Sequence, residues 1–223
     1  GAVWGAFLNA GQACVSVERV SVVAEAYDAF VAALTTAAGE VEASPHPARG
    51  IGPVFGPGQI ESVESQVAEA LAAGATLLAG GKRTGDSWFE PTVLLGVDHS
   101  MAVMREETFG PVLPVMRVAD AEEAIARAND SPYGLNASVL TEDDGRGERI
   151  ARQLRTGTVN VNEAYEATFG SVRAPMGGRG LSGLGRRNGD HGLIRYTEEQ
   201  TIAVQRGIGM GTPFGMEHDD WGD

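Results

Sequence analysis

The chain contains one cysteine, Cys14, in the stretch N-A-G-Q-A-C at residues 9–14. A thiolate is a strong nucleophile near neutral pH, so this residue raises the question of covalent chemistry. A lone cysteine is more often an inert small hydrophobe, and its surroundings decide between the two. Gly11 and the small residues Ala10 and Ala13 let the backbone turn tightly and leave space beside the sulfur. A thiol just past such a turn can meet an exposed backbone N–H, which favours the thiolate; the same N–H can hold an oxyanion. Gly178, Gly180 and Gly183 spell G-x-G-x-x-G, but a dinucleotide fingerprint needs a strand before it and a helix opening on it. Pro175 and loop residues precede it here, so it reads as a structural loop. The histidines at 46, 99, 191 and 218 lack ligand spacing, which predicts no metal site and gives no signature of a Cys–His hydrolase.

The elements that would carry these residues alternate. Residues 19–24 read as a strand, and a helix follows with Tyr27, Phe30, Val31 and Leu34 at helical spacing and Gly39 as its stop. Residues 44–58 are loop by their Pro and Gly content. A second helix puts Ile60, Val63, Val67 and Leu71 on one face and ends at Gly74. Strands are expected at 75–81, near 92–95 and at 110–118. Asp120 with Glu123 three residues on is a capping-box pattern, opening a helix to about residue 130. Strands at 135–140 and 158–162 flank a helix over 142–157, residues 164–192 are Gly-rich loop, and 200–206 reads as a last strand. The strand–helix repetition predicts an α/β fold of three layers, a mostly parallel sheet covered by helices on both faces.

The length of 223 residues is enough to bury a real core. No apolar run approaches the ~20 residues of a membrane helix, and no signal peptide is expected. A formal net charge of −13 repels phosphate backbones, so neither nucleic acid nor membrane is an expected partner. One cysteine forms no internal disulfide, which fits a reducing, cytoplasmic setting. A single lysine, Lys82, among 17 cationic residues and the abundance of Ala and Gly fit a high-GC bacterial genome. The first residue is Gly1 rather than Met, so the sequence is expected to be a fragment or a processed product.

Taken together, F-L-N-A-G-Q-A-C (7–14), R-E-E-T-F-G-P-V-L-P-V (105–115), residues 122–139, G-T-V-N-V-N (157–162) and A-P-M-G-G-R-G-L-S-G-L-G-R-R-N-G (174–189) resemble the aldehyde dehydrogenase family, in that family's order and spacing. The resemblance runs to about residue 206. It implies a catalytic domain over 1–196, an oligomerisation strand over 197–207 and a mobile tail over 208–223, with the dinucleotide-binding domain absent. It implies that Cys14 is the nucleophile, forming a thiohemiacetal and then a thioester on the way from aldehyde to acid, with NAD or NADP as cofactor. Glu107 then takes the nicotinamide ribose hydroxyls, Phe109 packs beside that ribose, and Gln59 contacts the cofactor. Met176 and Leu181 depart from the family's pattern. The family's general base and its second oxyanion donor, an asparagine, lie upstream of this sequence. Losing the base costs ~10²–10⁴ in rate and losing the oxyanion donor ~10²–10³, so the isolated chain is expected to be inactive.

Within the family, residues 174–205 are most similar to actinobacterial succinate-semialdehyde dehydrogenases. A semialdehyde carrying a carboxylate calls for an arginine. Leu8 occupies the position, six residues before the nucleophile, where the better-known semialdehyde enzymes have one. Arg173 is the candidate to replace it, while an apolar Leu8 suits a fatty or aromatic aldehyde. The expected partners are a small-molecule aldehyde and further copies of the enzyme, in a dimer or tetramer. Two rival readings stay open: a folded non-catalytic or assembly domain, and a thiol hydrolase.

Overall fold

The computed structural model describes residues 1–45 and 50–206. In chain order the elements are α1 (Ala2–Phe7), β1 (Val20–Val23), α2 (Tyr27–Ala38), α3 (Pro57–Ala72), β2 (Thr76–Ala79), β3 (Thr92–Leu95), α4 (Ala102–Arg105) and β4 (Val112–Val118). Then come α5 (Ala121–Asn129), β5 (Tyr133–Gly134), β6 (Asn136–Val139), α6 (Asp144–Ala151), β7 (Thr158–Val161), α7 (Glu166–Gly170), β8 (Arg179–Gly180) and α8 (Gly189–Ile194). A four-residue 3₁₀ turn, Leu8–Gly11, follows α1 directly.

The main sheet has the order β1-β4-β3-β2. β4 lies between two parallel neighbours, with Val20 opposite Val115 and Thr92 opposite Val112. A strand paired on both edges and covered on both faces must be apolar nearly throughout, and six of the seven residues of β4 are buried. Its alternate side chains feed two cores. Val112 and Met116 meet Ile60, Val63 and Val67 of α3, while Leu113 and Val115 meet Phe7 of α1 and Leu34 of α2. Each large apolar side chain so buried contributes about 1.5–3 kcal/mol. The expected three layers are therefore present, with two departures in detail. β2 pairs antiparallel to β3, with a register shift between Leu77 and Ala79. On α3, Leu71 is 37% exposed and Ala70, fully buried, takes the inward position. From Val67 a turn of 3.6 residues admits either i+3 or i+4, and the small residue is the one that fits against the core.

Pro57, expected in the loop over 44–58, instead opens α3 at a position where its missing N–H costs nothing. The capping pattern read from sequence holds at α5. The Asp120 side chain accepts the Glu123 N–H at 2.9 Å, and Glu123 reaches back to the Ala119 N–H at 2.8 Å. This is a capping box displaced by one residue on its return bond.

The sheet does not continue beyond β1. β6 and β7 form a separate parallel pair, with Asn136 opposite Thr158, and β5 with β8 form a two-residue antiparallel pair. The single sheet expected from the sequence is thus in pieces. The region 164–192 is not loop throughout, because α7, β8 and the start of α8 lie in it. Residues 201–206 belong to no helix or strand and are exposed, so the expected strand over 200–206 is not formed. A strand exists only through a ladder with a neighbour, and no strand of this structure pairs with that segment. The tail expected over 208–223, like Gly207, lies outside the described residues. Among the described residues no helix is long and apolar enough to cross a membrane, and no group of three or more His, Cys, Asp or Glu is placed to hold a metal ion.

Candidate active site

The N-A-G-Q stretch takes an unusual backbone. Asn9, Ala10 and Gly11 follow one another in the left-handed region, at φ 55°, 57° and 72°. Such a run costs roughly 1–2 kcal/mol for each residue bearing a Cβ, so the surroundings must enforce it. Gln12 does much of that. Its Nε2 donates to the carbonyls of Asn9 and Pro53, and its Oε1 accepts the Phe55 N–H at 2.7 Å. Asn9 Nδ2 donates back to the Gln12 carbonyl. Gly11 is required by space as well as by φ, since a Cβ there would overlap the carbonyl of Gly110. The loop therefore rests directly against the E-E-T-F-G segment.

Cys14 follows in a turn closed by Ser16 N–H donating to the Ala13 carbonyl at 2.8 Å. Val15 beside it is buried with Ala164, Tyr165 and Met176, which anchors the turn, while Cys14 itself is exposed. Among the described residues the Cys14 N–H makes no hydrogen bond and so stays open as a donor.

The E-E-T-F-G segment is gripped from two sides. Glu18, four residues after the cysteine, accepts the Phe109 N–H at 2.8 Å and the Thr108 N–H at 3.2 Å. From α3, Gln59 Nε2 donates to the Thr108 carbonyl at 2.7 Å, and Gln66 Oε1 accepts the buried Thr108 hydroxyl at 2.8 Å. Phe109 is held at φ 48° by these contacts. The carboxyl of Glu18 is pushed up to about 7, mainly by burial, with the Glu107 charge adding to the rise. The two N–H bonds and Arg19 oppose that rise. Glu107 is exposed, and its carboxylate accepts no hydrogen bond from the described residues.

Cys14 stands between two hollows. The larger, about 490 Å³, also takes in Glu18, Glu107 and His99. His99 Nε2 lies 2.9 Å from Asp130 Oδ2 and makes no hydrogen bond to Cys14. The smaller, about 260 Å³, joins Cys14 to Met176, Ser182, Leu184, Arg187 and Arg195. The structure thus brings Cys14 and Glu107 to one cavity. It places Gln59 and Phe109 behind and beside the loop that presents Glu107. Leu8 is exposed on the 3₁₀ turn, and Arg173 is exposed; neither lines a hollow that Cys14 touches.

Sequence reasoning missed four residues here. Gln12 and Glu18 position the two loops, and nothing in their spacing marks them. Arg187 and Arg195 both line the smaller hollow, and neither is in an ion pair among the described residues. Arg187 stands beside Arg186 in a Gly-rich loop, and nothing in the spacing marks Arg195. Two of the G-x-G-x-x-G glycines serve packing: a Cβ on Gly178 would strike the carbonyl of Ser182 and one on Gly180 that of Pro132, whereas Gly183 faces open space at φ 97°.

The profile of the aldehyde dehydrogenase family matches residues 1–202. The chain belongs to that family. This aldehyde dehydrogenase chain is 44% identical over 220 residues to a Mycobacterium ulcerans protein provisionally named succinate-semialdehyde dehydrogenase (NADP+) 2, covering 96% of this chain and 42% of that one. It is 43% identical to a Mycolicibacterium smegmatis protein with a similar provisional name, again over 96% of this chain and 43% of the other. Among solved structures, a Mycobacterium tuberculosis aldehyde dehydrogenase complexed with NAD+ superposes with a TM-score of 0.85 at 36% identity, over 94% of this chain and 44% of that one. A succinate-semialdehyde dehydrogenase from Burkholderia pseudomallei gives 0.82 at 39% identity, over 87% and 41%. The chain spans about two fifths of the length of the curated relatives it matches.

Proposed function

We propose that this chain carries the nucleophile side of an NAD(P)+-dependent aldehyde dehydrogenase site, and that its aldehyde bears a carboxylate. The observation that carries the reading is the exposed Cys14, held on a strained loop that abuts the Glu107 loop, with both residues opening on one cavity. As thiolate, Cys14 adds to the aldehyde carbonyl and forms a C–S bond, and the carbonyl oxygen becomes an oxyanion. The open Cys14 N–H is placed to donate to that oxyanion. Cys14 would keep the carbon as a thioester once its hydride had left, and a nicotinamide cofactor, when bound, would be the acceptor of that hydride. Water then releases the acid and restores the thiol.

The residues present fit such a cofactor. Glu107 offers two acceptor oxygens that no protein donor occupies, the arrangement two vicinal ribose hydroxyls need. Phe109 supplies an aromatic surface beside it. Glu18, Gln59 and Gln66 hold the loop so that this carboxylate is presented without having to be ordered on binding.

The carboxylate of the aldehyde is assigned to the smaller hollow, where Arg187 and Arg195 stand near Cys14. Guanidinium groups suit a carboxylate because they donate in pairs and stay charged. The provisional names of the mycobacterial relatives point to the same substrate class. Arg173 and Leu8 have no part in this reading.

The test is acylation of the purified chain by paired p-nitrophenyl esters, one neutral (acetate) and one anionic (hemisuccinate). The expected result is a burst that stalls near one equivalent, is blocked by iodoacetamide, and is faster with the anionic ester. Arg187→Ala with Arg195→Ala removes that preference and leaves the neutral burst. Sustained turnover would instead make the chain a hydrolase, and no burst would make it a folded domain without the chemistry.

A further inference from the structure

One side chain holds the backbone that leads to Cys14. Asn9, Ala10 and Gly11 are all left-handed, and Gln12 ends the run two residues before the sulfur. The Gln12 carboxamide bonds to main-chain groups alone. Nε2 donates to the Asn9 carbonyl at 3.1 Å and to the Pro53 carbonyl at 3.0 Å, and Oε1 accepts the Phe55 N–H at 2.7 Å. The side chain thus pairs with the backbone on both sides of Val54 as a peptide group would. Among side chains of this length, only glutamine offers two donors and an acceptor together. A carboxylate has no donor, and methionine has neither a donor nor a strong acceptor.

The segment that Gln12 grips has few other anchors. It lies between Gly52 and Gly56, both left-handed, with nothing within 4 Å of where either would carry a Cβ. The Phe55 side chain is 88% exposed. Val54 is buried, and its N–H donates to the Ser87 carbonyl at 2.7 Å. Just beyond, α3 begins at Pro57, and Gln59 in its first turn donates to the carbonyls of Thr108 and Phe109. Those two residues follow Glu107 directly. Residues 53–59 therefore run from a grip on the cysteine loop to a grip on the Glu107 loop.

We propose that Gln12 is a positioning residue that sets Cys14 against Glu107, with residues 53–59 as the strut between their loops. It acts through the main chain at both ends. Its three bonds offset the cost of the left-handed run, and without them the run relaxes and carries the Cys14 sulfur and N–H out of line. A displaced thiol still meets a small alkylating agent. It loses the joint placement of sulfur and N–H that attack on a carbonyl needs. The proposal rests on Cys14 being the nucleophile.

The test compares the 223-residue chain with Gln12→Met and Gln12→Glu. In Gln12→Met the p-nitrophenyl acetate burst is expected to slow by about tenfold or more, while alkylation of Cys14 by iodoacetamide changes by less than about threefold. Amide exchange is expected to quicken about tenfold at Phe55 and about threefold at Thr108 and Phe109, with Val115 in the core unchanged. In Gln12→Glu the protonated carboxyl can donate to one carbonyl and accept from Phe55, whereas the ionised one faces two carbonyl oxygens without a donor. Its burst rate, as a fraction of the unsubstituted chain's at each pH, is expected to fall by about threefold or more from pH 5 to pH 8, while the Gln12→Met fraction stays level. These fractions cancel the titration of Cys14 and Glu18, which all three proteins share. At pH 5 Gln12→Glu keeps two of the three bonds, so it supplies the test if Gln12→Met does not fold. Four results would overturn the proposal: an unchanged burst, burst and alkylation slowing together, exchange quickened at Phe55 alone, or a level fraction in Gln12→Glu. No burst in the unsubstituted chain would sink the functional reading instead, and exchange at Thr108 and Phe109 would still decide whether the strut couples the loops.

Discussion

The two sides of the larger hollow differ in how their signals turn into structure. On the β1–β4 side, β4 is an apolar run, α3 is an amphipathic helix, and both are packed: Ile60, Val63, Val93, Leu94 and Leu113 have essentially no exposure. On the β6–β7 side the signals are no weaker. α6 is capped by Asp143, whose side chain accepts the Arg146 N–H, and β7 alternates as a strand should, yet Gly147 is the one buried residue of α6 and β6 is half-buried throughout. What differs is the number of neighbours. An element's sequence fixes its period and its ends, but its burial depends on whether a partner meets each face and edge. The candidate site lies on the seam, because Cys14 and Glu18 lead directly into β1 while Arg187 and Arg195 belong to the less covered side.

Cys14→Ser bears on the seam and carries the largest expected effect. An alcohol at this position is far less nucleophilic, so the ester burst falls by about 10³-fold or more, while the folded spectrum is unchanged. Stopped-flow release of p-nitrophenol measures it, and a burst that survives would move the chemistry to another residue.

The packing contrast is tested by paired truncations. Leu94→Ala removes a fully buried side chain from the first core and is expected to cost about 3 kcal/mol. Val139→Ala on half-buried β6 is expected to cost about 1 kcal/mol or less. Urea denaturation of both variants decides, and equal losses would erase the distinction between the sides.

Glu18 gives the seam a pH signature. Its folded pKa of about 7 lies above the ordinary 4.5, so the folded state holds this proton more tightly than the unfolded one. Its contribution to stability is complete below about pH 4.5 and is lost as pH rises through about 7, a change of order 2 kcal/mol. In Glu18→Gln that slope vanishes, and the difference in urea midpoint between the two proteins moves in the variant's favour from pH 5 to pH 8. A difference that stays constant would remove the buried carboxylate from the account.

The smallest effect is at the cap. Asp120→Ala leaves the Glu123 N–H without its acceptor and is expected to cost about 1 kcal/mol, read from the thermal midpoint.

Much of this was legible in the residues themselves. Local rules located α3 from its apolar stripe, α5 from Asp120 and Glu123, and β4 from its continuous apolar run. The family motifs pointed to Cys14 and Glu107. What stayed hidden depends on long-range contact. Gln12 meets Pro53 and Phe55 across forty residues of chain, and Glu18 meets Phe109 across ninety, so no local spacing could announce either. Arg187 and Arg195 line a hollow with Cys14 only because the Gly-rich loop folds back, while Arg173 lines neither hollow that Cys14 touches. The division of the sheet could not be read from strands that each look ordinary.

The central claim, an accessible thiol on a preformed loop, is tested most directly by the rate of Cys14 alkylation with iodoacetamide, native against unfolded in urea, followed by peptide mass mapping. The account predicts that the native thiol reacts at least as fast as the unfolded one, with the label on Cys14. Native protection of about tenfold or more would contradict it.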